Sequence, residues 1–584
     1  MSEDPFVRQA AVLRLTDAMI GVVNSLEVDV VGANAAAVSA EGFRDEAAAF
    51  VDTFTAPTKS VLDTIMGGDV TGLAKGEPLN TAKASVTTLA GFKTLLGESA
   101  VKGLHVAPGV IYTGTGGASN QPLITLPAGA RWLLSGNGAV IKHADQAVTQ
   151  NWTSHLRVRT SGGDVDRVDV RDIGFDGNAR GQNLPAGAYD WQQSTGFKFE
   201  GLSSARILNV SVRNVDFKDP LADCISTNFY VDTLTVDNMR VSGRTQTRSD
   251  IQLSSLPRVT QISNFNGAKI EAETTAIPAD VTHDFLVQID QSVCSERLDI
   301  GLPFAASDRA TFAIDNSWMG DAHFQSVKAT VANSTIHFPV RTTPRRIYYP
   351  RRLSFNNCDF YLHGAADGTV EPLSFITQTA PWATSVEFRN CRFHLVPHPD
   401  FVGDYTGAAI ETTTSGATAA TPDRHDSYLF ENCWFDPRFE INFKLASAYS
   451  VKLINNIYGS RGVAIAYTGH ATFTSKVEID GGDFGACGAF LRYDPSANTS
   501  LAIKNVVMDD TVGVISGAAP TGFFNSTTTR STRILHVDNG PPVYGIKGEV
   551  ARLKAPVPGA VCEWICTKNS YTASIWKPLS SVGS

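Results

Sequence analysis

Four carboxylates stand where paired-acid chemistry could be built: Asp223 in Ala222-Asp223-Cys224-Ile225, Asp250 in Ser249-Asp250-Ile251-Gln252, and Glu271 and Glu273 in the segment that opens Lys269-Ile270-Glu271. Asp216 and Asp219 lie nearby. Two carboxyl groups at a fixed separation can divide proton duties, one giving a proton and the other accepting one or attacking. At a glycosidic bond, a separation of about 5–5.5 Å suits retention of configuration and about 6.5–9.5 Å suits inversion. Acidic residues at chain bends also cap turns or simply face water, so a plain structural reading of the same four residues stands beside the chemical one.

What could position them is a repeat. Ser354-Phe355-Asn356-Asn357-Cys358-Asp359-Phe360, Glu387-Phe388-Arg389-Asn390-Cys391-Arg392-Phe393 and Leu429-Phe430-Glu431-Asn432-Cys433-Trp434-Phe435 are copies of one phrase. Weaker copies surround Asn214, Asn238, Asn264, Asn456 and Asn505. From Asn214 to Asn238 is 24 residues, from Asn238 to Asn264 is 26, and from Asn432 to Asn456 is 24. The longer steps from Asn357 to Asn390 (33) and Asn390 to Asn432 (42) are read as turns carrying inserted loops. Apolar and polar residues alternate within each phrase, as in a strand with one face inside. A strand-sized phrase with a period near 24 predicts one coil of a parallel β-helix, three short strands joined by turns. The Asn is placed at a bend, where it tolerates the left-handed conformation and bonds backbone groups, and stacked coils would align these Asn as a ladder. Cys358, Cys391 and Cys433 are read as small inward-facing apolar groups. Carboxylates on adjacent coils, about 4.8 Å apart, or two coils apart, fall near the separations that glycoside hydrolysis uses.

Composition narrows the classes. The formal net charge of -9 argues against a nucleic-acid-binding protein. No run of about 20 apolar residues predicts a membrane span, and Met1-Ser2-Glu3-Asp4-Pro5 lacks the basic and apolar regions of a signal peptide. Cys562-x3-Cys566 lacks the second pair of a zinc site. Asp164, Asp166 and Asp169 could hold a cation, but their alternation with Val reads better as the polar face of a strand. No metal or other cofactor is called for, and no G-x-S-x-G motif supports a deacetylase.

Along the chain, residues from about Phe6 to Met66 read as helical, with Leu13, Ile20, Val23, Val30 and Ala37 at steps of seven or three. Residues 1–75 are therefore taken as an α-helical attachment or trimerisation region, 76–540 as the β-helix and 541–584 as a small C-terminal β module. Leu89–Leu96 could be a short helix. It precedes a strand running into Pro108-Gly109-Val110-Ile111-Tyr112, then Leu126-Pro127-Ala128-Gly129, then Gly136-Asn137-Gly138-Ala139-Val140-Ile141. This order resembles the entry coils of the pectate-lyase-like right-handed parallel β-helix superfamily, common in bacteriophage tailspikes. Asp172-Ile173-Gly174-Phe175-Asp176-Gly177-Asn178 is similar to the next phrase of that superfamily, in which Asp176 reads as a turn residue. Gly548-Glu549-Val550, Ala555-Pro556-Val557-Pro558-Gly559, Glu563-Trp564-Ile565-Cys566-Thr567 and Ile575-Trp576-Lys577 resemble a small C-terminal module of phage tail spikes and fibres.

The resemblance implies a homotrimeric protein of the virion tail. It would attach to the tail or baseplate through its N-terminal region and bind a bacterial surface polysaccharide, with no nucleic acid and no membrane insertion. Many members of that family also cleave the glycan; endo-glycosidic hydrolysis here would fall on the coil-spaced Asp223, Asp250, Glu271 and Glu273. A non-enzymatic fibre and a polysaccharide lyase are the alternatives. For binding, Arg345, Arg346, Tyr348, Tyr349 and Trp382 are the candidates: guanidinium groups could hold acidic substituents and rings could stack on sugars. The same arginines could equally pair with acids of a neighbouring subunit. An inserted loop with Trp382, His394, His398 and Tyr405 is a second candidate surface.

Overall fold

The computed structural model describes Thr81–Ala82 and, apart from several loops, the chain from Gly103 to Ser581; residues 1–80 fall outside the described part. The proposed helices of residues 1–75 and of Leu89–Leu96 therefore lie outside the described residues. Two units divide the chain, one of Met1–Ile65 and Asp69–Glu77 and the other of Met66–Gly68 and Pro78–Ser584. The second is described here.

Its strands pair in parallel with strands one coil onward. Arg352–Asn356, Asp359–His363 and Leu373–Ile376 form one coil. They pair respectively with Ser385–Arg389, Arg392–Val396 and Ala408–Thr413. These in turn pair with Ser427–Glu431, Trp434–Phe435 and Ile441–Ala446. Three strands per coil, three sheets and one apolar interior make a parallel β-helix. Among the described strands the pairing turns antiparallel only at the C-terminus, where Val550–Leu553, Val561–Lys568 and Ile575–Ser581 form a meander.

Period-2 alternation explains the interior. In Ser385–Arg389 the residues Val386 and Phe388 are buried while their neighbours are half-exposed. Because register is kept from coil to coil, equivalent side chains stack: Phe355 on Phe388 and Phe388 on Phe430, each at 4.8 Å between ring centres. Phe360, Phe393 and Phe435 form a second stack, at 4.9 and 4.8 Å. Cys358, Cys391 and Cys433 face inward and are buried.

The bends carry the asparagines. Asn214, Asn238, Asn264, Asn357, Asn390 and Asn432 all have φ between 50° and 54°, a conformation that excludes most side chains but suits Asn. Their amides run from coil to coil: Asn238 donates to Asn214 at 2.9 Å, Asn357 to Asn333 at 2.8 Å and Asn432 to Asn390 at 3.2 Å. One assignment is corrected. The ladder member after Asn432 is Asn455 (φ 50°), not Asn456. Glu431 pairs with Ile454, so Asn456 occupies the Cys433 position and points inward. It is fully buried, accepting from the Cys433 N–H at 2.8 Å and donating to the Phe430 carbonyl at 3.1 Å. Asn390→Ala should therefore lower unfolding free energy by about 1–2 kcal/mol, through left-handed strain and a lost side-chain bond. Asn390→Gly, free of the strain, should lose less; urea unfolding of both variants checks this.

Candidate active-site face

One of the three sheets runs through Ser154–Thr160, Thr195–Glu200, Asp223–Thr227, Ile251–Gln252, Asn266–Glu273, Val293–Gly301, Ala322–Gln325 and Arg346–Tyr348. Leu156, Phe197, Ile225, Ile251, Ile270, Leu298 and Ala322 are in register along it and buried. The next residue on each strand points to the opposite side. That outer column reads Arg157, Lys198, Ser226, Gln252, Glu271, Asp299, His323.

Three of the four predicted carboxylates meet at this column and the bend beside it. Asp223 is 1% exposed and accepts the Ser249 N–H at 3.1 Å through Oδ1, with Arg248 Nε 3.6 Å from the same oxygen. Gln252, with its amide nitrogen turned towards Asp223, donates to Oδ2 at 2.7 Å and accepts from Arg248 at 2.8 Å. The Ser249 hydroxyl donates to Glu271 Oε2, so a single serine joins Asp223 to Glu271. Lys269 Nζ donates to the same Glu271 oxygen at 2.6 Å and stands 3.7 Å from Asp299.

Asp250 is fully enclosed. Its Oδ2 accepts from the backbone N–H groups of Ala268 and Lys269, and its Oδ1 has no hydrogen bond to a described residue, with Arg244 Nε 3.8 Å away. It fixes the bend from which Lys269 and Glu271 start. Glu273 is two residues along the strand from Glu271, its backbone paired with Gly301.

Proton affinities on this face diverge. Burial pushes the Asp223 carboxyl up to about 7; Glu271 adds in the same direction, against the pull of Arg248 and Arg244. Burial also acts to raise Glu271, but hydrogen bonds from the Lys269 ammonium and the Ser249 hydroxyl outweigh it and hold that carboxyl below its usual range. Asp299 is lowered too: burial is overcome by His323, Arg297 and Lys269. Two neighbouring carboxyl groups with opposed proton affinities are the arrangement that paired acid–base chemistry uses.

Burial holds the folded Asp223 carboxyl up at about 7, against 3.8 for a freely solvated one in the unfolded chain. Its stabilising contribution is therefore full below about pH 4 and is lost as pH rises through about 7, with an upper size of about 4 kcal/mol at 1.36 kcal/mol per unit. Urea unfolding across this range should show the stability of the wild type falling relative to that of Asp223→Asn as pH rises.

Asp299 and His323 were not picked out from the sequence. His323 Nδ1 lies 2.6 Å from Asp299 Oδ1, which fixes the ring and leaves Nε2 without a hydrogen bond to a described residue. The signal was present: Leu298-Asp299-Ile300 repeats the apolar–acid–apolar pattern of Ile270-Glu271-Ala272 one coil later. Of the predicted binding residues, Tyr348 lies on this same sheet, its ring 5.7 Å from that of His323. Arg346 shares that strand. Arg345, Tyr349 and Trp382 lie outside the described residues. The second candidate surface divides. His394 stacks on Tyr361 at 4.6 Å on the outside of another sheet, whereas Tyr405 is buried, its hydroxyl accepting the His398 N–H at 2.6 Å. Asp166 and Asp169 pair with Arg131 and Arg167, as a polar strand face would. Asp176 accepts the Asn178 N–H at 2.8 Å in a turn.

No family model matches the chain, and no curated protein matches it. Among solved structures it is similar to the A-module of the mannuronan C-5 epimerase AlgE6 of Azotobacter vinelandii (10% identity, TM-score 0.26, 82% of this chain and 100% of that one). It is also similar to tailspike protein gp49 of the Acinetobacter baumannii bacteriophage Fri1, a capsular polysaccharide depolymerase (12% identity, TM-score 0.22, 83% of this chain and 63% of that one). A third similarity is to endo-xylogalacturonan hydrolase from Aspergillus tubingensis (12% identity, TM-score 0.20, 82% of this chain and 98% of that one). Overlaps this low carry nothing about chemistry. The fold rests on the parallel ladders themselves.

Proposed function

We propose that the chain binds a bacterial surface polysaccharide along this outer face and hydrolyses it. Asp223 gives a proton to the glycosidic oxygen, and Glu271 acts as base or nucleophile. The observation that carries the reading is the joining of an enclosed carboxyl, Asp223, through Ser249 to a carboxylate held by Lys269, Glu271; burial raises the first and the bonds from Lys269 and Ser249 lower the second. Arg248 lies over Asp223; in this reading it moves aside as the sugar takes its place. Lys269 keeps Glu271 ionised, and Asp250 positions both through the backbone. The same proposal takes in the tailspike-like trimer, attachment through residues 1–75 and a place in a virion tail. Support for these is the resemblance of the sequence phrases at the entry coils and near the C-terminus to those of tailspikes.

One observation favours the rival, a fibre that binds without cutting. Asp223 and Asp250 are nearly sealed, and Asp223 is well satisfied by Ser249, Gln252 and Arg248. Incubation with polysaccharides from candidate hosts separates the two. New reducing ends support hydrolysis, unsaturated uronate absorbance supports a lyase, and intact chains that still bind support the fibre.

A further inference from the structure

The sheet that carries Phe360, Phe393 and Phe435 on its inner side carries a second row of rings outside. In Thr335–Phe338 the residues Ile336 and Phe338 are buried, so His337 faces out. In Asp359–His363 the residues Phe360 and Leu362 are buried, so Tyr361 and His363 face out. His337 is in register with Tyr361, and Tyr361 with His394. The His337 and Tyr361 rings stack at 4.6 Å and 9°, and the Trp318 ring packs 5.1 Å from His337. His363 stands beside this row, two residues along the strand from Tyr361. Its Nε2 lies 3.1 Å from Nδ1 of His337. Two imidazole nitrogens so placed share a hydrogen bond, and the same two can give both lone pairs to one cation. With metal–nitrogen bonds of about 2.0–2.1 Å, the 3.1 Å separation corresponds to an angle of about 100° at the metal, between square and tetrahedral geometry.

We propose that His337 and His363 form a two-imidazole site for a divalent transition-metal ion on the outside of this sheet, with water as the remaining ligands. Imidazole suits zinc, copper and nickel, and of the first-row divalent ions Cu2+ binds such nitrogen sites most tightly. Among the described residues no three His, Cys, Asp or Glu side chains come together to hold a metal. The protein therefore supplies two ligands, and the ion keeps open positions towards solvent. Both ligands stand on paired strands, and Tyr361 and Trp318 pack against the His337 ring, so the pair is held in place before an ion arrives. His394 takes no part: Tyr361 stands between it and His337, and its Nε2 lies 3.2 Å from Asp359 Oδ1. The site is on a different sheet from Asp223 and Glu271 and does not depend on the polysaccharide reading.

The test titrates the full chain with Cu2+, and separately with Zn2+, by calorimetry in a buffer that does not bind metals. A second ligand tethered beside the first raises affinity by about a hundredfold. His337→Gln and His363→Gln should therefore each weaken Cu2+ binding by about that factor, Zn2+ should bind more weakly than Cu2+, and His394→Gln should change neither. Paramagnetic resonance of Cu2+ on the wild type should show two nitrogen ligands, and on each of the two pair variants only one. Metal-free urea midpoints that match the wild type would show that the half-exposed substitutions still fold, and the wild-type spectrum stands without any variant. No binding of Cu2+, a wild-type spectrum with fewer than two nitrogens, or an affinity undiminished in His337→Gln and His363→Gln would overturn the proposal.

Discussion

Glu271→Gln should lower the rate of polysaccharide cleavage by about a hundred- to ten-thousand-fold, the size expected when a positioned acid–base group is removed. The side chain keeps its length and can still accept the Ser249 hydroxyl, so binding should change little and the loss should fall on turnover. The ion pair with Lys269 is lost, but Lys269 retains Asp299 as a neighbour. Asp223→Asn should cost a comparable factor and leave a distinct trace in the pH profile. With its carboxyl pushed up to about 7, Asp223 holds its proton in weakly acidic and neutral solution, so wild-type activity should fall as pH rises past about 7. The residual activity of Asp223→Asn should lack that alkaline limb. A variant that lost activity but kept the limb would point to another acid, and His323 on Asp299 is the next group along the column.

Phe388→Ala should be strongly destabilising. The ring is fully buried and stacks on Phe355 and Phe430, with edges against Phe360, Phe375 and Phe393. Large-to-small changes of this kind cost about 3–5 kcal/mol. In a solenoid each coil is held by its neighbours, so the loss falls on the interfaces at both sides of one coil. Chemical unfolding should show a transition displaced by that amount, or a separate early transition confined to the neighbouring coils. Phe388→Leu should recover most of the loss.

These outcomes bear on what a linear reading can see. The coil was legible because three constraints act on one short phrase: alternation for the inward face, an asparagine for the left-handed bend, and a small buried residue after it. Where one constraint relaxed, the reading slipped. At Asn455-Asn456 two asparagines compete, and only the register of Ile454 with Glu431 shows which one bends. The carboxylate column was half legible. Glu271 and Asp223 stood out as acids beside inward residues, and Asp299 carried the same pattern unnoticed. Arg244 and Arg248 reach Asp250 and Asp223 from a loop whose sequence has no period. Pairings of that kind are created by the coil closing on itself, and no spacing along the chain encodes them.

Hydrolysis on this face, as proposed, adds water across a glycosidic bond, so the decisive measurement runs the reaction in heavy-oxygen water with the host polysaccharide and weighs the products. Shortened chains are expected in which each cleavage has brought in one heavy oxygen, with Glu271→Gln yielding almost none. Products that lack the heavy oxygen and carry an unsaturated end, or chains that stay intact while bound, would contradict it.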